Sequence, residues 1–155
     1  GLERIARRHP EHPVIGVHMG GGGGHFVEAE PTYQAARQIG LANPNIFYIL
    51  SAKRDTHIES ALITYASAGV PFAGNLGAGS DAPYGDMVWN FGAFRSLFAA
   101  LRDGTTYGDP RLTERPDLFS AETIAGFMGG NLARLVAAAD ERILAGQGKG
   151  LEPKT

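Results

Sequence analysis

An imidazole at position 18 and a carboxylate at position 81 are the two groups in this chain whose sequence surroundings best suit proton transfer. His18 ends an apolar run, Val14-Ile15-Gly16-Val17, and is followed by Met19 and five consecutive glycines, Gly20 to Gly24. Asp81 ends a run of small residues, Ala78-Gly79-Ser80, and precedes Ala82-Pro83-Tyr84-Gly85. An apolar, β-branched segment that delivers one polar side chain and then loses every side chain is the pattern of a buried parallel strand turning tightly beside a ligand. A free imidazole titrates near pH ~6.5 and a free aspartate near ~3.9, values that suit general acid–base work and the chemistry of metal-bound water near neutral pH. A divalent cation held by Asp81 would lower the pKa of its water, while His18 orients that water or polarises a substrate carbonyl. Each residue alone has a plainer reading, His18 as a hydrogen-bonded rim residue and Asp81 as a turn or cap before Pro83. One histidine and one aspartate do not complete a catalytic zinc site, which usually takes three protein ligands.

The glycine run does not fit the phosphate-binding motifs. A dinucleotide fingerprint through Gly20 and Gly22 requires glycine at position 25, which is His25, and no lysine precedes Lys53 to complete a P-loop. Gly20 instead gives a ligand close approach beside His18, and Gly22 to Gly24 read equally well as a surface loop. His25 follows the glycines and is placed at the cavity mouth. Ser51 ends the second apolar run, and Tyr84 directly follows the Asp81 turn. Gly20, His25, Ser51 and Tyr84 are therefore the candidate substrate-binding residues. Trp89 and Tyr107 are further candidates for the pocket wall, whereas Phe91 reads as core. His9 and His12 precede the first strand and belong at the opposite rim. His57 falls in the first turn of a helix and reads as solvated.

These positions need a scaffold, and the periodicity supplies one. Leu2 to Arg8 is amphipathic and is stopped by Pro10 and Pro13. A strand to His18 follows, then a helix opened by Pro31 and closed by Gly40. After an Asn43-Pro44-Asn45 turn comes a strand from Ile46 to Ser51. A helix capped by Thr56, with Glu59 as capping-box partner, buries Ile58, Ala61, Leu62, Tyr65 and Ala66 and ends at Gly69. Val70 to Ala78 is expected to be a third strand, weakened by Gly74, Asn75 and Gly77. A helix over 91–101 faces Phe94, Leu97, Phe98 and Leu101 inward, and 103–117 is expected to be a long loop. Ser120 caps a helix to Met128; Gly129-Gly130 interrupts it, and a further helix runs from Asn131 to Ala139. Strands alternating with helices, and strands that are nearly all apolar, predict an α/β fold with a parallel sheet covered on both faces. Ligands in such sheets bind beyond the carboxyl ends of the strands, where His18, Ser51 and Asp81 lie.

Composition narrows the classes. With 155 residues, 43% hydrophobic and 19% charged, the chain has the make-up of one globular domain. A net charge of −2 gives no electrostatic basis for nucleic-acid or acidic-membrane binding, so a small-molecule substrate is the expected partner. The absence of cysteine removes thiolate nucleophiles, disulfides and zinc–thiolate sites. No apolar run approaches the ~20 residues that cross a bilayer, and a cytoplasmic location is expected.

Four stretches, VIGVHMGG (14–21), NPNIFYILS (43–51), GSDAPY (79–84) and GNLARL (130–135), occur in an order that resembles the amidohydrolase superfamily. The similarity is to its "amidohydrolase 2" branch of aminocarboxymuconate semialdehyde decarboxylase-like metal-dependent enzymes. The resemblance implies a (β/α)8 barrel with a divalent metal, usually Zn2+, at its C-terminal face, and hydrolysis of amide, ester or lactone bonds or non-oxidative decarboxylation. It implies that His18 acts on metal-bound water or substrate, that Asp81 is a metal ligand or general base, and that Asn131, Arg134 and Leu135 pack near the end of the barrel. The family's H-x-H pair and a further ligand histidine have no counterpart in these residues, so residues 1–145 correspond to about strands six to eight of a TIM barrel. Residues 146–155 are expected to be a flexible tail. Three strands leave two open edges and an apolar inner face, which calls for the rest of the barrel or a homo-oligomer as partner. The metal site is expected to be incomplete and the chain alone to have little activity. The contrasting expectation is a non-catalytic α/β scaffold or interaction module in which the glycine loop and Asp81 are structural.

Overall fold

The computed structural model describes residues 1–20, 31–51, 55–69, 72–81, 87–105 and 110–147. Three short strands form a parallel sheet in chain order: β1 (Val14–Val17), β2 (Ile46–Leu50) and β3 (Leu76–Ala78). Val14 pairs with Ile46 and Val17 with Ile49, while Tyr48 pairs with Leu76 and Leu50 with Ala78. Parallel neighbours need a crossover between them. Helices α2 (Pro31–Ala42) and α3 (Asp55–Ser67) lie between successive strands, after α1 (Leu2–Arg8) at the start. The short α4 (Phe72–Asn75) leads directly into β3. Then come α5 (Met87–Asp103), α6 (Pro110–Thr113), a 3-10 turn at Pro116–Phe119, α7 (Ala121–Ala125), a π turn at Gly126–Gly130, and α8 (Asn131–Gln147).

The mixed α/β class and the parallel sheet agree with the sequence, and β2 is the central strand, with only Ile49 among its residues not buried. One face of the sheet carries Tyr48, Leu50 and Leu76 into a core shared with Tyr33, Ile58, Leu62 and Tyr65. Tyr48 Oη donates to the Ala36 carbonyl at 2.9 Å, fastening β2 to α2. Arg37 is buried in the same layer, giving hydrogen bonds to Ser60 Oγ and Thr64 Oγ1 and stacking on the Tyr33 ring. An aromatic cluster continues the core, with Phe98 4.6 Å from Phe127 and 5.9 Å from Phe119 between ring centres. Asn45 Nδ2 reaches the carbonyls of Ala6, His9 and His12 and so ties the α1–β1 connection to the foot of β2.

Several expected boundaries move, each for a physical reason. Gly40 does not end α2, which continues to Ala42. A Cβ there would overlap Tyr65 Oη and lie 2.7 Å from Tyr48 Cε2, so this glycine serves close packing rather than a helix stop. The third strand shrinks to three residues because Phe72–Asn75 coils as α4, and Asn75 Nδ2 donates to the Pro44 and Ile46 carbonyls. The expected loop over 103–117 contains α6, anchored by the fully buried Leu112. Helix α5 begins at Met87, before the expected start. The helix capped by Ser120 passes into the π turn at Gly126, and α8 extends to Gln147, two residues into the expected tail. Residues 148–155 lie outside the described residues, and Thr56 falls inside α3 rather than ahead of it.

Both faces of the sheet are not covered throughout. On the edge strand β1, Ile15 is 43% and Val17 56% exposed, which leaves an apolar strip along the face shared with Phe47 and Ile49. No helix among the described residues is long and apolar enough to cross a membrane.

Candidate active site

The carboxyl ends of the three strands bring together three of the residues singled out by type and spacing. His18 follows β1 and opens a 3-10 turn that closes at Gly20, Ser51 follows β2, and Asp81 lies three residues beyond β3. His18 Nδ1 is 3.2 Å from the Ser51 carbonyl and 3.0 Å from Ser51 Oγ. Its Nε2 is 3.6 Å from Asp81 Oδ1, with the two side chains 37% and 30% exposed. Ser51 itself is buried.

The Ser51 contacts serve either tautomer: Ser51 Oγ donates to Nδ1 when the proton is on Nε2, and the Ser51 carbonyl accepts from Nδ1 when the proton is there. A carbonyl oxygen only accepts, so the contact to Ser51 O is a hydrogen bond when Nδ1 carries the proton. In the neutral ring Nε2 is then a lone pair, and it faces a carboxylate that also only accepts. At 3.6 Å the two are beyond direct hydrogen-bond range. A proton on Nε2 would make the two a charge pair. The Asp81 carboxylate is of a donor type that fits one ligand position of a divalent-metal site. Among the described residues no three His, Asp or Glu side chains converge to complete one.

The backbone is unusual at the same two places. Among the described residues, the non-glycine positions with positive φ are His18 (60°), Met19 (39°) and Asp81 (59°). This left-handed region is sterically costly for L-residues, less so for aspartate, and single residues held there cluster at ligand sites. Met19 supplies the anchor for the first: its side chain is completely buried, so the turn that bends His18 over the sheet end is locked by core packing. At the second, a Cβ on Gly79 would overlap Ile49 Cγ2 and lie 2.8 Å from Ser51 Cβ. The bare backbone after β3 thus lies against the residue that holds His18.

The other candidates are distributed as follows. Gly20 contributes backbone to the His18 turn. His25 and Tyr84, and the secondary candidate Tyr107, lie outside the described residues. Trp89 is 76% exposed in the first turn of α5, beside exposed Met87 and Val88, whereas Phe91 packs against the core. His9 and His12 lie ahead of β1, at its opposite end from His18, within 3.8 Å and 3.4 Å of Glu11 Oε1. Asn131 is buried and donates to the Leu76 carbonyl at the start of β3, and Arg134 Nη2 donates to Asn131 Oδ1. The GNLARL segment therefore clamps the π turn to the foot of the sheet, away from His18. Sequence reasoning missed Met19, Gly79 and Asn90, whose amide donates to the Ser80 carbonyl at 2.7 Å. Gly79 is marked in the sequence as a glycine two residues before Asp81; nothing in the local pattern singles out the other two.

Compared with protein-family models, curated proteins and solved structures, the chain gives no match.

Proposed function

We propose that this chain is the portion of an amidohydrolase-type (β/α)8 barrel carrying about strands six to eight, and that His18 and Asp81 are its catalytic half-site. The enzyme would be a metal-dependent hydrolase of C–N or C–O bonds, or a non-oxidative decarboxylase. The observation that carries this reading is a coincidence of position and strain. The imidazole and carboxylate chosen from sequence lie 3.6 Å apart at the carboxyl ends of parallel strands, and both are held at positive φ. Adjacent strands in chain order and the exposed strip of Ile15 and Val17 agree with a sheet that continues past β1.

A divalent metal, Zn2+ by the resemblance, would supply Lewis-acid polarisation and a water of lowered pKa. Asp81 would give it a carboxylate oxygen, and remaining ligands would come from complementary barrel strands in a longer chain or from a second copy. His18 turns Nε2 towards the reacting centre while Ser51 holds Nδ1, so the ring can take a proton at Nε2 and return it to a leaving group. Asp81 stabilises the imidazolium formed in between, at a distance that keeps the charge pair close without a direct hydrogen bond. The exposed Trp89 turn offers an apolar surface for a small-molecule substrate.

The test is turnover of p-nitrophenyl acetate and CO2 release from hydroxybenzoic acids, measured in a chain that includes the complementary strands. His18→Asn and Asp81→Asn should each lower the rate by about 10²–10⁴-fold with the fold intact. Loss of stability with every ligand-binding property unchanged would favour the scaffold reading instead. For the 155 residues alone, little or no turnover is expected; tight stoichiometric zinc with robust turnover would contradict the ligand count.

A further inference from the structure

We propose that Asn90 is a positioning residue for Asp81: its side-chain amide, carried on α5, holds the peptide that sets where the Asp81 carboxylate sits. For its catalytic consequence this rests on the half-site reading above; its structural content does not. Asn90 Nδ2 donates to the Ser80 carbonyl at 2.7 Å, a short and well-formed bond. That carbonyl belongs to the planar unit that also contains the nitrogen and Cα of Asp81. Holding the oxygen fixes the plane from which the Asp81 φ of 59° is measured. On the preceding side the chain is constrained by Gly79 against Ile49 and Ser51. Asp81 is thus gripped between β2 and α5.

The donor is itself rigidly mounted. Asn90 shares a stripe of α5 with Phe94, Leu97 and Leu101, all buried in the core, so its amide is referenced to the centre of the domain rather than to a loop. A left-handed aspartate is disfavoured in an unsupported chain, and a hydrogen bond of this kind offsets that cost. Without it, the backbone at Asp81 relaxes towards φ < 0 and the carboxylate swings away from Nε2.

The experiment uses 15N,13C-labelled protein without metal, at one pH of about 8.5, above the ordinary imidazole range. Asp81 amide and Cα resonances and the His18 ring nitrogens are recorded for wild type, Asn90→Ala, Asn90→Leu, Asp81→Asn and the Asn90→Ala/Asp81→Asn double variant. Asn90→Leu keeps the approximate shape, loses the donor and adds no charge, which covers the case in which the alanine variant fails to fold. The expected result is that either Asn90 variant moves the Asp81 resonances and shifts the His18 ring in the direction produced by Asp81→Asn, and that Asn90→Ala adds nothing to the ring shift once Asp81 is asparagine. Unmoved Asp81 resonances, or an Asn90→Ala ring shift that persists in full in the double variant, would overturn the proposal. If Asn90→Ala moves Asp81 while Asp81→Asn leaves the His18 ring unmoved, the half-site reading fails and the Asn90 assignment stands.

Discussion

Replacing Gly79 by alanine probes the coupling between β3 and His18 without touching either catalytic candidate. The added Cβ would overlap Ile49 Cγ2 and lie 2.8 Å from Ser51 Cβ, both at the end of the sheet. Carbon atoms pack at about 3.5–4.0 Å, so Ser51 or the strand must withdraw by roughly 0.7 Å or more. His18 Nδ1 is 3.0 Å from Ser51 Oγ and 3.2 Å from Ser51 O, and a shift of that size takes both beyond the ~3.5 Å at which such contacts count as hydrogen bonds. Overpacking of this kind costs about 1–3 kcal/mol. For a chain of this size that corresponds to a melting temperature lower by about 2–12 °C. Thermal unfolding followed by circular dichroism measures the cost, and long-range 1H–15N spectra of the His18 ring report whether the cost is felt at the site. The expected outcome is a lower melting temperature together with displaced His18 ring resonances. An unchanged melting temperature with an unmoved ring would refute the packing argument. A stability loss without ring displacement would show that β3 and His18 are not coupled through Ser51.

Other substitutions test the scaffold. Gly92 is exposed inside α5 and a Cβ there meets open space, so Gly92→Ala should stabilise by about 0.5–1 kcal/mol in denaturant titration. Asn131→Ala leaves the buried Leu76 carbonyl without its Asn131 donor and should destabilise by roughly 1–3 kcal/mol, with no direct effect on the His18 ring. Burial pushes the Tyr48 phenol up to about 12, and burial with the nearby Tyr48 pushes Tyr65 higher still. Because the folded state then keeps protons that the unfolded chain gives up near its ordinary pKa of about 10, stability is intact below that pH and falls as pH rises towards 12. Phenolate absorbance and unfolding should therefore appear together in that window, and Tyr65→Phe, which removes a buried hydroxyl with no hydrogen-bond partner among the described residues, should shift the transition to higher pH.

What could be read from sequence was governed by period and by strand ends. β1 and β2 are continuous apolar runs, and the rule that ligands lie past the carboxyl ends of parallel strands puts His18, Ser51 and Asp81 at one rim. Burial of Phe94, Leu97, Phe98 and Leu101 followed from helical spacing. The misread elements are those where tertiary contacts override local preference. Gly40 is a helix stop by propensity and a packing necessity beside Tyr48 and Tyr65 in the fold. The stretch before β3 is extended by pattern and helical once Asn75 finds the carbonyls of Pro44 and Ile46. At the site, Ser51 directly follows β2, yet its contact with Nδ1 depends on a register no local signal carries. Met19 and Asn90 act through a core position and a carbonyl far from them in pattern, so residue type alone could not mark them.

The most direct measurement is a double-mutant cycle on turnover, using His18→Asn, Asp81→Asn and the pair together in a chain that includes the complementary barrel strands. If the imidazole and the carboxylate serve one reaction, each single substitution lowers the rate by about 10²–10⁴-fold and the double variant is hardly worse than either. Activity surviving in both single variants, or losses that multiply in full in the double, would mean that the two groups do not work as a unit.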